Sequence, residues 1–276
     1  PASSWPSWRP SYHGTPPPKM PACSQELAGD SSCKSIDIRC QNVSKCSCGF
    51  KIAYSINHIL LSTSTKFNFR NTILRKDLWP WVIFAILLVV LVEQSVLVFT
   101  FRLIDFPADQ FLTEYSFIEG LPEWSGWLVI IMISIVAGVC EEVGFRGYMQ
   151  LPLEKKYGPI AAISIVSVVF VLVHLHQAWS SLIIIHIFFI SVMFGCLAYF
   201  FQSLIPGIIA HIIMDVFNFS FWWTSLGGQF NKQTIHQTGI DNHFLIWTLI
   251  MFSGIAMFIY VMKRTNILMP KSEGVN

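Results

Sequence analysis

The chain has 276 residues, of which 53% are hydrophobic, 14% aromatic and only 12% charged. A soluble domain carries roughly a quarter charged residues, so an ordinary soluble enzyme is excluded. The net charge of +2 comes with no basic stripe interleaved with aromatics, which leaves a nucleic-acid partner without an electrostatic footprint. In chain order, residues 1–77 are rich in Ser, Pro, Cys and Lys, with Pro-Ser-Trp-Arg-Pro and Thr-Pro-Pro-Pro-Lys near the start. They read as a disordered or accessory leader, or as a mis-called gene start, since the first Met is Met20 and no basic-then-apolar signal peptide is visible. Cys23, Cys33, Cys40, Cys46 and Cys48 fall in this stretch, at spacings that match no paired zinc-ligand pattern.

From Leu78 the apolar residues gather into six runs near the ~20 residues that a helix needs to cross the hydrocarbon core. They lie at roughly 78–101, 125–150, 159–177, 181–201, 204–226 and 244–262. Backbone polar groups cannot go unpaired in lipid and the runs lack the alternation of barrel strands, so the expected fold is an all-α polytopic transmembrane bundle. Residues 78–264 form the membrane domain on this reading, with a motif core at 125–226 and a cytoplasmic tail at 265–276. No repeat relates the first half of the bundle to the second. Lys66, Arg70, Arg75 and Lys76 precede the first run, whereas the loop from Leu103 to Gly126 holds acidic residues and no Lys or Arg. The positive-inside rule then places the N-terminal side in the cytoplasm, and Arg146, Lys155, Lys156, Lys263, Arg264 and Lys271 agree with an even number of crossings and two cytoplasmic termini.

Within these runs the informative side chains are those that are costly in lipid: Glu93, Glu141, Glu142, Arg146, His174, His186, His211 and Asp215. An acidic residue at a helix centre costs about 2.5 to 3.5 kcal/mol on the insertion scale, so adjacent glutamates need a partner, a proton or a wet cavity. At helical spacing Glu142 and Arg146 face each other, while Glu141 points about 100° away and is free for another partner. Taken alone the pair also fits a salt bridge at a helix end, with Arg146 snorkelling to the headgroups. His174 on the third run and His211 with Asp215 on one face of the fifth bring two more helices with inward polar groups, so the three are expected to converge on one water-reachable cavity.

Glu-Glu-x-x-x-Arg at 141–146, Phe-x-x-x-His at 170–174 and His-x-x-x-Asp at 211–215 stand in that order on separate runs. This set resembles the three motifs of the CPBP (Abi) family of intramembrane proteases, which includes the type II CAAX prenyl endopeptidases (the Ras-converting enzyme) and bacterial proteins linked to bacteriocin processing and self-immunity. The resemblance covers residues 125–226. It implies that Glu141 with His174 holds and deprotonates the attacking water, that His211 and Asp215 lie on the carbonyl-oxygen side, and that Glu142 and Arg146 position the others. The implied substrate is a membrane-associated peptide or lipidated protein. Where the eukaryotic prenyl proteases have Asn, this chain has Asp215, which weakens the inference to prenylated substrates more than the inference to proteolysis.

Peptide hydrolysis needs an activated water, an oxyanion stabiliser and a proton donor for the leaving amine, and the cluster has groups for all three. Glu141, His174, His211 and Asp215 are also the ligand types of a catalytic zinc site, so the cofactor is either none or a divalent metal such as zinc. Cys140 raises a thiol alternative, which an apolar, carboxylate-rich setting disfavours. A proton-coupled transporter subunit and a non-enzymatic membrane immunity or scaffold protein are the competing classes. His176, His186, His236 and His243 rank below the motif residues, the last two as solvated loop side chains, and Glu93 with Gln94 is left to bond across helices or line the cavity. One geometric difficulty stands: counted from Pro159, His174 lies about 22 Å along its helix, deeper than Glu141 and His211 at about a third of the way in.

Overall fold

The computed structural model describes residues 70, 74, 76–105, 118, 121–177, 180–224, 226, 227 and 232–268. The expected leader therefore lies outside the described residues apart from Arg70, Leu74 and the turn at Lys76. Every apolar run becomes a helix: α1 Trp79–Leu103, α2 Glu123–Glu141, α3 Leu151–Tyr157, α4 Pro159–Val173, α5 Ser181–Phe201, α6 Ile205–Phe217, a short α7 Ile235–Thr238 and α8 Asn242–Leu268. Among the described residues there is no strand. Prolines mark the starts, with Pro80, Pro159 and Pro206 in first turns, where a missing N–H breaks no bond.

Two differences from the expected spans matter for the site. Residues Glu142–Gln150 form a π segment that joins α2 to α3, so the second run continues as one 35-residue rod to Tyr157 instead of ending near 150. Pro152 sits just past this join, where it would have broken an uninterrupted α ladder. In addition, α4 has only 15 residues. Among the described residues five helices are long and apolar enough to cross a membrane, and α4 is a shorter sixth. α8 also runs on to Leu268, past the expected end of the membrane domain at 264.

The core has two parts that share α5. Val82, Val89 and Val92 of α1 pack with Phe194 and Leu197 of α5, Ala210 and Met214 of α6, and Phe258 and Val261 of α8. Phe145, Met149 and Leu153 pack with Ala162, Val166 and Phe170 of α4 and with Ile183 and Ile187 of α5. The outer faces keep Ile83, Leu87, Leu128, Met132, Leu249 and Phe252 exposed, as a lipid-facing surface requires.

At the end of α1 the fully buried Arg102 clasps the α7–α8 corner. It donates to Thr238 Oγ1 at 2.7 Å, to Asp241 Oδ2 at 2.9 Å and to His243 Nδ1 at 3.0 Å, while Asp241 Oδ1 accepts from the Phe244 N–H. His243 is thus a bonded residue of the first turn of α8, not a solvated loop side chain. The Arg102 guanidinium, with the Phe244 N–H, holds the Asp241 carboxyl below the usual carboxylate range. Its contribution is present above the unfolded value near pH 4 and is lost as pH falls through the lower folded value. Asp241→Asn should therefore lower the thermal midpoint at neutral pH, with the gap to wild type closing in acid; a gap unchanged down to low pH would rule the clasp out.

Candidate active site

α2 and α6 approach each other through glycines. A Cβ at Gly138 would lie 2.7 Å from Ile212 Cγ1 and 3.1 Å from the Ile212 backbone nitrogen. A Cβ at Gly207 would lie 2.8 Å from Glu142 Oε2. Close approach on both sides lets Glu141 and Glu142, at the α2–π junction, reach His211 on α6. Gly207→Ala should displace Glu142 from His211, destabilising the fold by about 1–3 kcal/mol and lowering any turnover more than that loss of fold explains. Thermal unfolding beside an activity assay of the folded fraction checks this.

Glu142 and Arg146 are both fully buried. Arg146 Nη1 donates to Glu142 Oε1 at 3.0 Å, and Nη2 donates to the Ser191 carbonyl at 3.0 Å and to Ser191 Oγ at 2.8 Å. The guanidinium lies over Phe170 at 4.7 Å, Phe194 at 5.3 Å and Phe145 at 5.8 Å. Arg146 is therefore an interior anchor and does not snorkel. His211 Nδ1 donates to the same Glu142 oxygen at 3.1 Å, and its ring stacks on Phe194 with centroids 4.8 Å apart. With Nδ1 committed, His211 Nε2 is the ring atom nearest Glu141 and Asp215.

Below Arg146 the seam continues at four-residue steps. Gln150 Nε2 donates to the Gly195 carbonyl at 2.9 Å and to Glu154 Oε1 at 2.7 Å, and Glu154 pairs with the buried Arg70, which reaches the Ala198 carbonyl at 2.6 Å. In an α-helix a four-residue step drifts about 40° around the axis. The wider π turns offset that drift and keep 142, 146, 150 and 154 against α5.

His174 stands at the C-cap of α4, where Nδ1 donates to the Phe170 carbonyl at 2.7 Å and the ring stacks on Phe170 at 4.2 Å. The bond satisfies a last-turn carbonyl and fixes the tautomer, leaving Nε2 toward Glu141. Glu141 Oε2 lies 3.6 Å from His174 Nε2 and 3.7 Å from His211 Nε2, and Asp215 Oδ2 lies 3.8 Å from His211 Nε2. Glu141 keeps 23% of its side chain exposed, against none for Glu142. One glutamate is thus locked and the other reachable.

The depth mismatch between Glu141 and His174 disappears with the longer rod. Glu141 is sixteen residues before Tyr157 and His174 fifteen after Pro159, so both sit roughly 22–24 Å from the turn at Gly158. The structure thus brings together all six motif residues, Glu141, Glu142, Arg146, His174, His211 and Asp215, from three stretches of chain.

Residues 122–217 match an Rce1-like family model. The matching family model is described as type II CAAX prenyl endopeptidase Rce1-like, and the matched segment holds the six residues named above. No curated protein and no solved structure matches the chain significantly. The match supports a peptidase in general.

Among the described residues no group of three or more His, Cys, Asp or Glu side chains is disposed to hold a metal ion. The side chains gathered here offer hydrogen bonding and proton transfer. Cys140 is half-buried beside Glu141 with no disulfide.

Of the lower-ranked residues, His176 and His236 are exposed, and His186 is buried with Nε2 3.8 Å from Glu93 Oε1. Glu93 and Gln94 bond across to Asn218 of the π turn Asn218–Trp223 that extends α6. Sequence reasoning missed Ser191, Gly207 and Asn218. Asn218 was discoverable, because it continues the stripe of His211 and Asp215 at seven residues' spacing. Ser191 was visible only as a lone polar residue in an apolar run, and nothing marked Gly207.

Proposed function

We propose that the chain is an intramembrane endopeptidase that hydrolyses a peptide bond of a membrane-associated substrate, by direct attack of a water activated between Glu141 and His174. The observation that carries this reading is the separation of 3.6–3.7 Å between Glu141 Oε2 and the inward Nε2 atoms of both histidines. These gaps are too long for direct hydrogen bonds, yet an oxygen about 2.8 Å from two atoms so spaced sees them at roughly 80°, so a water can bridge them through two slightly bent hydrogen bonds.

His174 spends its Nδ1 proton on Phe170, so a neutral ring presents a lone pair beside the Glu141 carboxylate. A water donating one hydrogen to each has a lone pair left for the scissile carbonyl carbon. Attack forms the new C–O bond and passes one proton to the Glu141–His174 pair. The developing oxyanion is met from the other wall by Nε2–H of His211 in its imidazolium form, since Nδ1 also donates to Glu142; the Glu142 and Asp215 carboxyls beside the ring balance that charge. Collapse breaks the C–N bond, and the same proton returns to the leaving amine. Arg146 and Glu142 position His211 and touch no reacting atom.

The basic residues flanking the bundle support two cytoplasmic termini, with the Gly158 turn on the same side. Purified protein in liposomes, given prenylated CAAX peptides and unmodified hydrophobic peptides with and without chelator, tests the proposal. Cleavage that survives the chelator is expected, and a folded preparation that cleaves none of the peptides would overturn it.

A further inference from the structure

His211, Asp215, Asn218 and Trp222 follow one another at steps of four, three and four residues, so they share one face of the α6 rod. The first two face the site and the last two meet α1. Trp222 Nε1 donates to Gln94 Oε1 at 2.8 Å. Gln94 Nε2 donates to Glu93 Oε2 at 2.7 Å and to Asn218 Oδ1 at 2.9 Å, and Asn218 Nδ2 donates to Glu93 Oε1 at 3.0 Å. The three side chains close a ring of hydrogen bonds in which both Glu93 oxygens accept. Glu93 is 1% exposed, Gln94 8% and Trp222 1%, so the ring is a costly interior feature. His186 Nε2, buried and without a hydrogen-bond partner among the described residues, lies 3.8 Å from the same carboxyl on the α5 side. Glu93, Gln94, Asn218 and Trp222 all lie outside the matched segment 122–217, and the mechanism above uses none of them.

We propose that Glu93, Gln94 and Asn218 are positioning residues that set the rotation of α6, and through it the approach of His211 and Asp215 to Glu141. Helix α6 begins after a three-residue reversal from α5, and among the described residues the His211 ring has one hydrogen bond, to Glu142. A rotation of α6 by a few tens of degrees would carry Nε2 away from the oxyanion position. The Asn218 amide, gripped on both its oxygen and its nitrogen by α1, blocks that rotation one turn beyond Asp215. The ring thereby ties the matched domain to α1, the helix that packs against α5, α6 and α8. This inference rests on the proteolytic reading of the site.

The test is a charge exchange. Asn218→Asp places an acceptor against Glu93 where a donor stood, and should lower kcat per folded molecule by about tenfold or more while KM stays within about twofold. In the double variant Glu93→Gln with Asn218→Asp the bond directions reverse: Gln at 93 donates to Asp at 218, and Gln94 still donates to both. That variant should recover kcat to within about threefold of wild type. A merely structural role would lower yield and thermal midpoint and leave kcat per folded molecule unchanged. The proposal is overturned by an unchanged kcat in Asn218→Asp, or by a double variant no better than the single. Should Asn218→Asp fail to fold, Trp222→Phe removes the N–H that holds Gln94, and an unchanged kcat there overturns the proposal equally. A wild type that cleaves nothing in the same liposomes removes the protease reading and this inference with it, whereas an active wild type with unaffected variants removes this inference alone.

Discussion

Glu141→Gln should cripple peptide cleavage, lowering kcat by about a hundredfold to ten-thousandfold, while the protein stays folded with a thermal midpoint near that of wild type. The size follows from the role: a positioned general base contributes roughly 10²–10⁴, and an amide can neither accept the proton nor polarise water as a carboxylate does. The neutral effect on the fold follows from the surroundings. Glu141 is partly exposed and makes no hydrogen bond shorter than its 3.6 Å approach to His174, so little packing is lost. Glu142→Gln should behave differently, because it breaks the link between Arg146 and His211 and costs stability as well. The measurement is turnover in liposomes beside thermal unfolding in detergent. Turnover within a few fold of wild type in Glu141→Gln would remove this residue from the chemistry. A proton-coupled transporter would instead show pH-gradient-dependent flux in a preparation that cleaves no peptide.

Arg146→Met should be the most destabilising single change in the site. Removing one partner of a buried ion pair leaves an uncompensated charge and costs about 3–5 kcal/mol. Here Glu142 would be left fully buried, with His211 as its one remaining hydrogen-bond partner. Arg146→Lys keeps the charge but has no planar fork with which to reach Glu142 and both Ser191 oxygens at once, and it stacks less well on Phe170 and Phe194. It should fold better than Arg146→Met and still lose turnover by about a hundredfold, because His211 is no longer held. Unfolding midpoints and kcat for the two variants separate these effects. A lysine variant with wild-type turnover would show that the pair serves only the fold.

The helices were legible because an apolar run of about twenty residues has few alternatives in lipid, and the run 181–201 coincides with α5 residue for residue. The end of the second run was not legible. Nothing in Glu142–Gln150 announces a π segment, and that segment carries the rod on to Tyr157 and removes the depth mismatch between Glu141 and His174. The motif residues could be picked out one by one because each is costly where it stands. Their partners could not, since Ser191 and Gly207 act through a carbonyl and a missing Cβ, which leave no mark on hydropathy or charge. Phe170 gained a physical role only from the fold, where one residue orients His174 through its carbonyl and stacks Arg146 on its ring. Glu93 was conspicuous from the start as a carboxylate in an apolar run, but its partner Asn218 lies 125 residues away.

The central claim, that Glu141 and His174 act on a single water as one unit, is tested most directly by a double-mutant cycle on kcat with Glu141→Gln, His174→Gln and the pair combined. Groups that share one proton transfer fail together, so the double variant should be slower than the worse single by no more than about threefold. Losses that multiply, each substitution taking its full toll whether or not the other is present, would mean that the two side chains work on separate steps and would contradict the account.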